Sequence, residues 1–292
     1  MTFDHPLSDL IRRRHSCRTF AAGVEDPALR GELNTRIRSL PTGFDTRLRF
    51  ELVEIGDLKK NDIFPTGTYG LIKGAATFIA GVMRPAEGRM WEDFGFAMEL
   101  AVLHATDLGL ATCWIGGVFD RAAFSRVLRV ESDEIVPAVT VVGRAAGSPV
   151  LRDRLVRWGA RGDRRLDPGR LFFHERFDRP LPGDLFPDLL PALENVRLGP
   201  SASNKQPWRI RVHRDRGHPS EKTREPLILD LYLKRDPVYR KIVPKADLQR
   251  IDMGIAMCHL EMSLRETGTA FERVGVPPPD RFEPVVSYRI DR

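Results

Sequence analysis

The sequence predicts an α+β protein in which two diverged copies of one unit share a single core. Two observations carry this. Asp93-Phe94-Gly95-Phe96-Ala97-Met98 and Asp252-Met253-Gly254-Ile255-Ala256-Met257 share the pattern Asp-x-Gly-x-Ala-Met, followed without gaps by Gly109-x-Ala111 and Gly268-x-Ala270. That makes six identities in one register, 159 residues apart, the signature of an internal repeat. Helical and strand-like hydrophobic periods also alternate along both copies, which is the mixed pattern of an α+β chain.

The repeated segments read as long helices with small residues on one face, where another helix can approach closely. Each ends at a glycine suited to the C′ position. Pro41-Thr42-Gly43 and Pro200-Ser201-Ala202 occupy matching places in the two copies. Each lies between a helical stretch (Leu29 to Ile37, Leu189 to Val196) and an alternating run (Leu48 to Val53, Trp208 to Val212). The apolar runs Ala75 to Val82, Val136 to Val142, Leu227 to Leu233 and Val285 to Ile290 predict buried strands, and Leu7 to Arg13 a short helix. The linker Arg161 to Pro187, rich in Arg, Asp, Gly and Pro, is expected to wrap along the surface. These readings divide the chain into copies at 1–166 and 167–292.

At 292 residues, 42% hydrophobic and 8% aromatic, the chain can bury a substantial core. No apolar run approaches the roughly 18 residues of a membrane span. Met1 to Phe20 is crowded with arginine and polar groups rather than a leader's apolar stretch, so a cytoplasmic protein with no membrane partner is expected. The net charge of +6 is spread among 46 basic and 40 acidic residues. There is no basic stripe with interleaved aromatics, so a small anionic ligand accounts for the excess better than nucleic acid does. Cys17, Cys113 and Cys258 lie far apart, without metal-ligand or disulfide spacing.

Three segments carry chemistry. In Arg14-His15-Ser16-Cys17-Arg18-Thr19-Phe20, an extended chain would set Arg14, Ser16 and Arg18 on one face. Two guanidiniums and a hydroxyl then suit a phosphate dianion; a solvated basic helix end is the plainer alternative. Pro200-Ser201-Ala202-Ser203-Asn204-Lys205-Gln206-Pro207-Trp208 offers compact donors and acceptors for the polar edge of a flat heterocycle, or is an ordinary turn with Trp208 as a core anchor. Gly116-Gly117, in the stretch Gly109 to Phe119, lets backbone N–H groups approach a planar ligand, although any loop can hold paired glycines.

Together these segments resemble the nitroreductase family. Arg14 to Phe20 is similar to its Arg-[Arg/His]-Ser-x-[Arg/Lys]-x-Phe entry motif. Pro200 to Trp208 matches its Pro-Ser-x-x-Asn-x-Gln-Pro-Trp motif at every fixed position. The resemblance implies a three-layer α+β fold and FMN held where two subunits meet. Here the two repeats would form an intramolecular pseudo-dimer, like the family's fused single-chain members. Arg14, His15, Ser16, Arg18, Gly116 and Gly117 lie in the first copy, and Pro200, Ser201, Ala202, Asn204 and Gln206 in the second. By resemblance they would bind the cofactor, with Arg164 or Arg165 completing the phosphate clamp. The complementary positions read Phe173-His174-Glu175-Arg176-Phe177 and Pro41-Thr42-Gly43-Phe44-Asp45, which lack both motifs, so one composite site is expected and its mate is lost.

The resemblance further implies ping-pong turnover. NAD(P)H, as co-substrate, would pass hydride to the flavin and leave, and an electron-poor small molecule would then be reduced at the same face. No protein nucleophile is called for, and Cys17 and Cys113 are expected to be packing residues, as are His15 and His104 to be packing or surface residues. Asp93 and Asp252 are expected to cap their helices. A carrier or sensor without turnover, and a flavin-dependent dehydrogenase or dehalogenase, remain as alternatives. Fusion makes a monomer sufficient and leaves self-association open.

Overall fold

The computed structural model describes residues 3–41, 47–58, 72–85, 89–117, 119–147, 164–215, 225–237 and 246–291. Thr42 to Asp45 of the first copy's turn and the start of the linker lie outside them. The first copy supplies α1 (Leu7–Arg13), β1 (Phe20–Ala22), α2 (Pro27–Arg38), β2 (Leu48–Glu54), α3 (Ile55–Leu58), β3 (Thr77–Met83), α4 (Met90–Asp107), β4 (Ala111–Ile115), α5 (Arg121–Val127) and β5 (Val139–Ala145). After it come β6 (Phe172–His174), α6 (Leu190–Leu198), β7 (Trp208–Arg214), β8 (Leu227–Leu233), α7 (Leu248–Glu266), β9 (Phe271–Gly275) and β10 (Glu283–Ile290).

The repeat is visible in the topology. In the first sheet β2, β3, β5 and β4 neighbour one another in that order, all antiparallel. In the second, β7, β8, β10 and β9 follow the same order and sense. α4 and α7 lie between the sheets, α4 in the core of the first and α7 in that of the second. Both are buried along nearly their whole length, which is why they read as apolar nearly all round. Both end as expected. Gly109 and Gly268 take left-handed φ of 75° and 67°. Leu110 and Thr269 donate back to Ala105 and Leu264 at 2.9 Å, closing Schellman motifs.

The helices meet through their glycines. A side chain at Gly95 would overlap the Ile251 carbonyl oxygen, and one at Gly254 would overlap that of Glu92. Gly95 corresponds to Gly254, and Glu92 to Ile251, under the same 159-residue offset. The two contacts are therefore one contact seen twice across a pseudo-two-fold axis, the isologous geometry of a symmetric dimer. The copies also interlock. Leu7, Leu10 and Ile11 of α1 are buried in the second copy's core, while Leu248 and Ile251 of α7 are buried in the first's.

Three expectations need correction. The linker is more than a surface wrap: its described part carries Leu171 and Phe172 into the core and adds β6 parallel to β7, since Leu171-Phe172-Phe173 is apolar enough to be drawn in. The strand expected from Val136 begins at Val139 and runs on to Ala145. Asp252 does not cap α7. Asp247 does, accepting the Arg250 N–H at 3.2 Å, while Arg89 without a side-chain bond precedes α4.

The crossing predicts a sharp contrast. Gly95→Ala and Gly254→Ala should each lower stability by about 1–3 kcal/mol, because rigid backbone blocks the added methyl. Gly183→Ala, with nothing within 4 Å of its Cβ, should change little. Thermal or urea unfolding reads the difference, and equal tolerance at all three would rule out the close crossing.

Candidate functional site

The interlock places the arginine motif. α1 is fixed to the second copy through its first two residues: Glu266 accepts the Leu7 N–H at 2.6 Å, and Asn195 Nδ2 donates to Ser8 Oγ at 3.1 Å. Arg14 follows as the C-cap, with ψ of 120°, so the chain leaves the helix extended. It then runs beside β4, bridging Ser16 to Thr112 in parallel, with the Cys17 N–H on the Thr112 carbonyl at 2.9 Å. The expected alternation appears. Cys17 turns into the first copy's core, and Ser16 and Arg18 are half-buried on the other side. Among the described residues, the side chains of Arg14, Ser16 and Arg18 form no hydrogen bond. His15 is exposed, its Nδ1 against the Arg13 carbonyl.

Arg14 is 8% exposed, and its Nε has no hydrogen-bond partner. Glu99 Oε1 stands 3.9 Å away, too far for a hydrogen bond. Burial pulls the Arg14 guanidinium below its ordinary value, with Glu99 partly opposing. Glu99 is itself spoken for: Trp114 Nε1 donates to it at 2.8 Å, and His259 Nε2 meets its other oxygen at 3.0 Å. The Asn195 carbonyl fixes the far nitrogen of His259 at 2.7 Å. A Cβ on Gly199 would touch that nitrogen at 3.4 Å, so the ring also abuts the start of the Pro200 loop. The two motifs are thus neighbours through Glu99 and His259, one residue from each central helix.

The Pro200–Trp208 loop is held almost wholly by its own polar groups. Ser201 Oγ accepts the Gln206 N–H at 2.9 Å, and Gln206 Oε1 accepts that of Leu166 at 2.8 Å. Asn204 Nδ2 donates to the Arg164 carbonyl at 2.8 Å, and its Oδ1 accepts from Arg165 at 3.2 Å. Arg165 also reaches the Leu198 carbonyl, whereas the Arg164 side chain is exposed. Asn204 and Gln206 therefore tether the linker's end as well as shape the loop. Ser203, Asn204 and Gln206 take φ of 50°, 53° and 48°. Each such non-glycine residue costs about 1–3 kcal/mol, which these bonds must offset. Trp208 is fully buried, the anchor the sequence suggests.

α7 ties this loop to the glycine loop. Asp252 Oδ1 accepts the Ala202 N–H at 2.9 Å, while Leu248, one turn earlier, packs where a Gly116 Cβ would stand, 2.8 Å from its Cδ2. Arg121 holds the Gly116 carbonyl at 2.5 Å and that of Pro137 at 3.1 Å. Because the peptide is trans, the Gly117 N–H points the opposite way. Leu248, Asp252 and His259 lie on one face of α7, so all three predicted segments border one stripe about 16 Å long. Glu99, Arg121 and His259 escaped the sequence reading, and Asp252 entered it only as a helix cap. Acids and an imidazole at buried positions of the two long helices were the available signal.

Asp252 is 2% exposed, and its Oδ2 has no partner. Burial pushes this carboxyl well above its ordinary 3.8, against the Ala202 bond. The unfolded chain then releases the proton first. This group's contribution is greatest below pH 3.8 and declines as pH rises toward the folded value. Asp252→Asn keeps an acceptor for Ala202 without a charge, so its melting point at pH 8 should match or exceed the wild type's. Asp252→Ala should lose about 1 kcal/mol with the hydrogen bond. Equal losses in both would remove the buried-acid account.

Comparison with known proteins bears on the fold and the family. No curated protein matches the chain. A Thermotoga maritima crystal structure described as a nitroreductase is 19% identical, with a TM-score of 0.53, covering 99% of this chain and 95% of that one. A nitroreductase family protein of Clostridium novyi is 24% identical over 50% of this chain and 88% of its own, with a TM-score of 0.41. An FMN-dependent nitroreductase of Clostridium difficile is 19% identical over 48% and 88%, with a TM-score of 0.39. The model of the family described as "Putative TM nitroreductase" matches residues 7–264, and the chain belongs to that nitroreductase family.

Proposed function

We propose that the chain is an FMN-dependent oxidoreductase, binding one FMN where its copies, 1–166 and 167–292, interlock. In this reading NAD(P)H drives the two-electron reduction of an electron-poor small molecule, nitroaromatic- or quinone-like. One observation carries it: the buried Arg14 guanidinium keeps an unmet N–H beside the uncommitted Ser16 hydroxyl and Arg18 guanidinium. A buried cation without a bonded counter-charge is costly unless an anion completes it. The residues present fit a phosphate monoester such as FMN carries. Similarity to FMN-dependent nitroreductases gives the anion its identity.

Bound FMN supplies hydride chemistry that side chains cannot. The chain binds and orients. Arg14 and Arg18 neutralise the phosphate with charge-assisted hydrogen bonds, and Ser16 adds a third donor. Glu99, steadied by Trp114 and His259, sets the position of Arg14 without neutralising it through a hydrogen bond. The Gly117 N–H is a donor for the edge of a planar ring. Asp252 and Arg165 keep the Pro200 loop in its strained shape, and Ser201 and Asn204 of that loop would help hold the cofactor. Cys17, Cys113 and Cys258 are buried and lie outside any disulfide. In this reading turnover would follow a ping-pong order, NAD(P)H leaving before the acceptor binds.

Purified protein should show the visible spectrum of an oxidised flavin and be bleached by NAD(P)H under anaerobic conditions. Arg14→Ala with Arg18→Ala should abolish flavin retention, since each charged hydrogen bond is worth about 1.5–3 kcal/mol. Arg176→Ala, whose guanidinium pairs with Asp178 on the surface, should retain it. A yellow protein that NAD(P)H leaves unbleached would make the chain a carrier or sensor. A colourless wild type would overturn the reading.

A further inference from the structure

Outside this site, several half-buried arginines are matched by acids. Arg250 pairs with Glu92 and Glu283, Arg273 with Glu261, and Arg211 with Asp230 and Asp280. One group breaks the rule. Arg209 on β7 lies between the core residues Trp208 and Ile210 and therefore points to the opposite face of the second sheet. It is 5% exposed, and its NH1 donates to the Gln206 carbonyl at 3.0 Å and that of Trp208 at 2.5 Å. Three exposed cations gather round it. Arg281 shares the Phe282 ring with Arg209, their Cζ atoms lying 5.5 Å and 6.0 Å from its centroid. Lys234 follows β8, its N–H on the Pro207 carbonyl at 2.8 Å. Arg170 immediately precedes Leu171, whose carbonyl accepts the Ile210 N–H at 2.8 Å. No carboxylate among the described residues pairs with any of the four; nearby Asp280 is committed to Arg211.

We propose that Arg170, Arg209, Lys234 and Arg281 form a second anion site on the outer face of the second sheet, suited to a phosphate dianion, free or as a monoester. The cluster's own electrostatics support this. Burial, then Arg170, brings Arg209 down to about 10, and Arg209, burial, Arg170 and Arg281 together lower Lys234. A dianion relieves that repulsion, and three guanidinium forks can grip its oxygens in pairs, which a lone carboxylate would fill less well. Phe282 supplies a flat support for two of the forks. Arg209 also holds the carbonyl of Gln206, so the site adjoins the Pro200 loop without including the Arg14 group.

The test is isothermal titration of the full-length flavin-loaded protein with inorganic phosphate, adenosine 2′-monophosphate and uncharged adenosine. Arg170→Ala, Lys234→Ala and Arg281→Ala are combined in one variant. A charge-matched control combines Arg38→Ala, Arg126→Ala and Arg129→Ala on exposed surface elsewhere. Wild type and control should bind phosphate saturably with equal affinity, the cluster variant at least tenfold more weakly, and all three should keep their flavin. If the triple variant is poorly folded, Lys234→Ala alone should still weaken binding several-fold. Tighter, cluster-dependent binding of the nucleotide than of phosphate assigns the site to a nucleotide phosphate; equal binding assigns it to the free anion. Absent saturable binding, an unchanged cluster variant, or equal losses in cluster variant and control would overturn the proposal.

Discussion

The structure depends on the crossing of α4 and α7, where two glycines let each backbone reach the other's carbonyl. No larger residue fits, so the helices meet more closely than ordinary ridge-into-groove packing allows. That closeness buries charged groups from both helices, and each finds its partners on the other helix or on the neighbouring strands. Glu92 takes Arg250, Glu99 takes Trp114 and His259, and Glu261 takes Arg273 and Tyr288. Half of a buried pair would be costlier than none, so each network constrains which elements dock beside the helices.

The candidate site follows from that constraint. Glu99 and His259 come from opposite copies and meet because the helices cross. Arg14 sits beside them because α1 docks on the second copy, and Gly199 because α6 packs on α7. The arginine motif in one copy and a polar loop in the other thereby become neighbours without sharing a hydrogen bond. The strand order and the crossing keep their pseudo-symmetry, while the motifs stand on one side only. Among the described residues, no helix is long and apolar enough to cross a membrane.

Much of this was legible in the sequence because its signals are periodic. The long helices, their terminal glycines, and β2, β3, β7, β8 and β10 have apolar patterns long enough to read. β4 was read as part of a glycine loop, since Ala111-Thr112-Cys113-Trp114 is short and ends beside Gly116-Gly117. β9, with Glu272 and Arg273 among five residues, has no apolar pattern, and β6 is three residues inside a polar linker. At the site, Arg14, Ser16 and the Pro200 loop were found through motif spacing. The residues that position them were not, because Glu99–His259 and Asp252–Ala202 join positions 160 and 50 apart. The use of Asn204 and Gln206 to tether the linker was equally invisible, since the same amides suit a ligand or a backbone.

The central claim is a single composite site built across the two copies. Counting flavin released from denatured, weighed protein tests it most directly. One FMN per chain is the predicted result. Two per chain would mean the pseudo-symmetric mate still binds, and none would mean that the buried guanidinium of Arg14 serves some other anion.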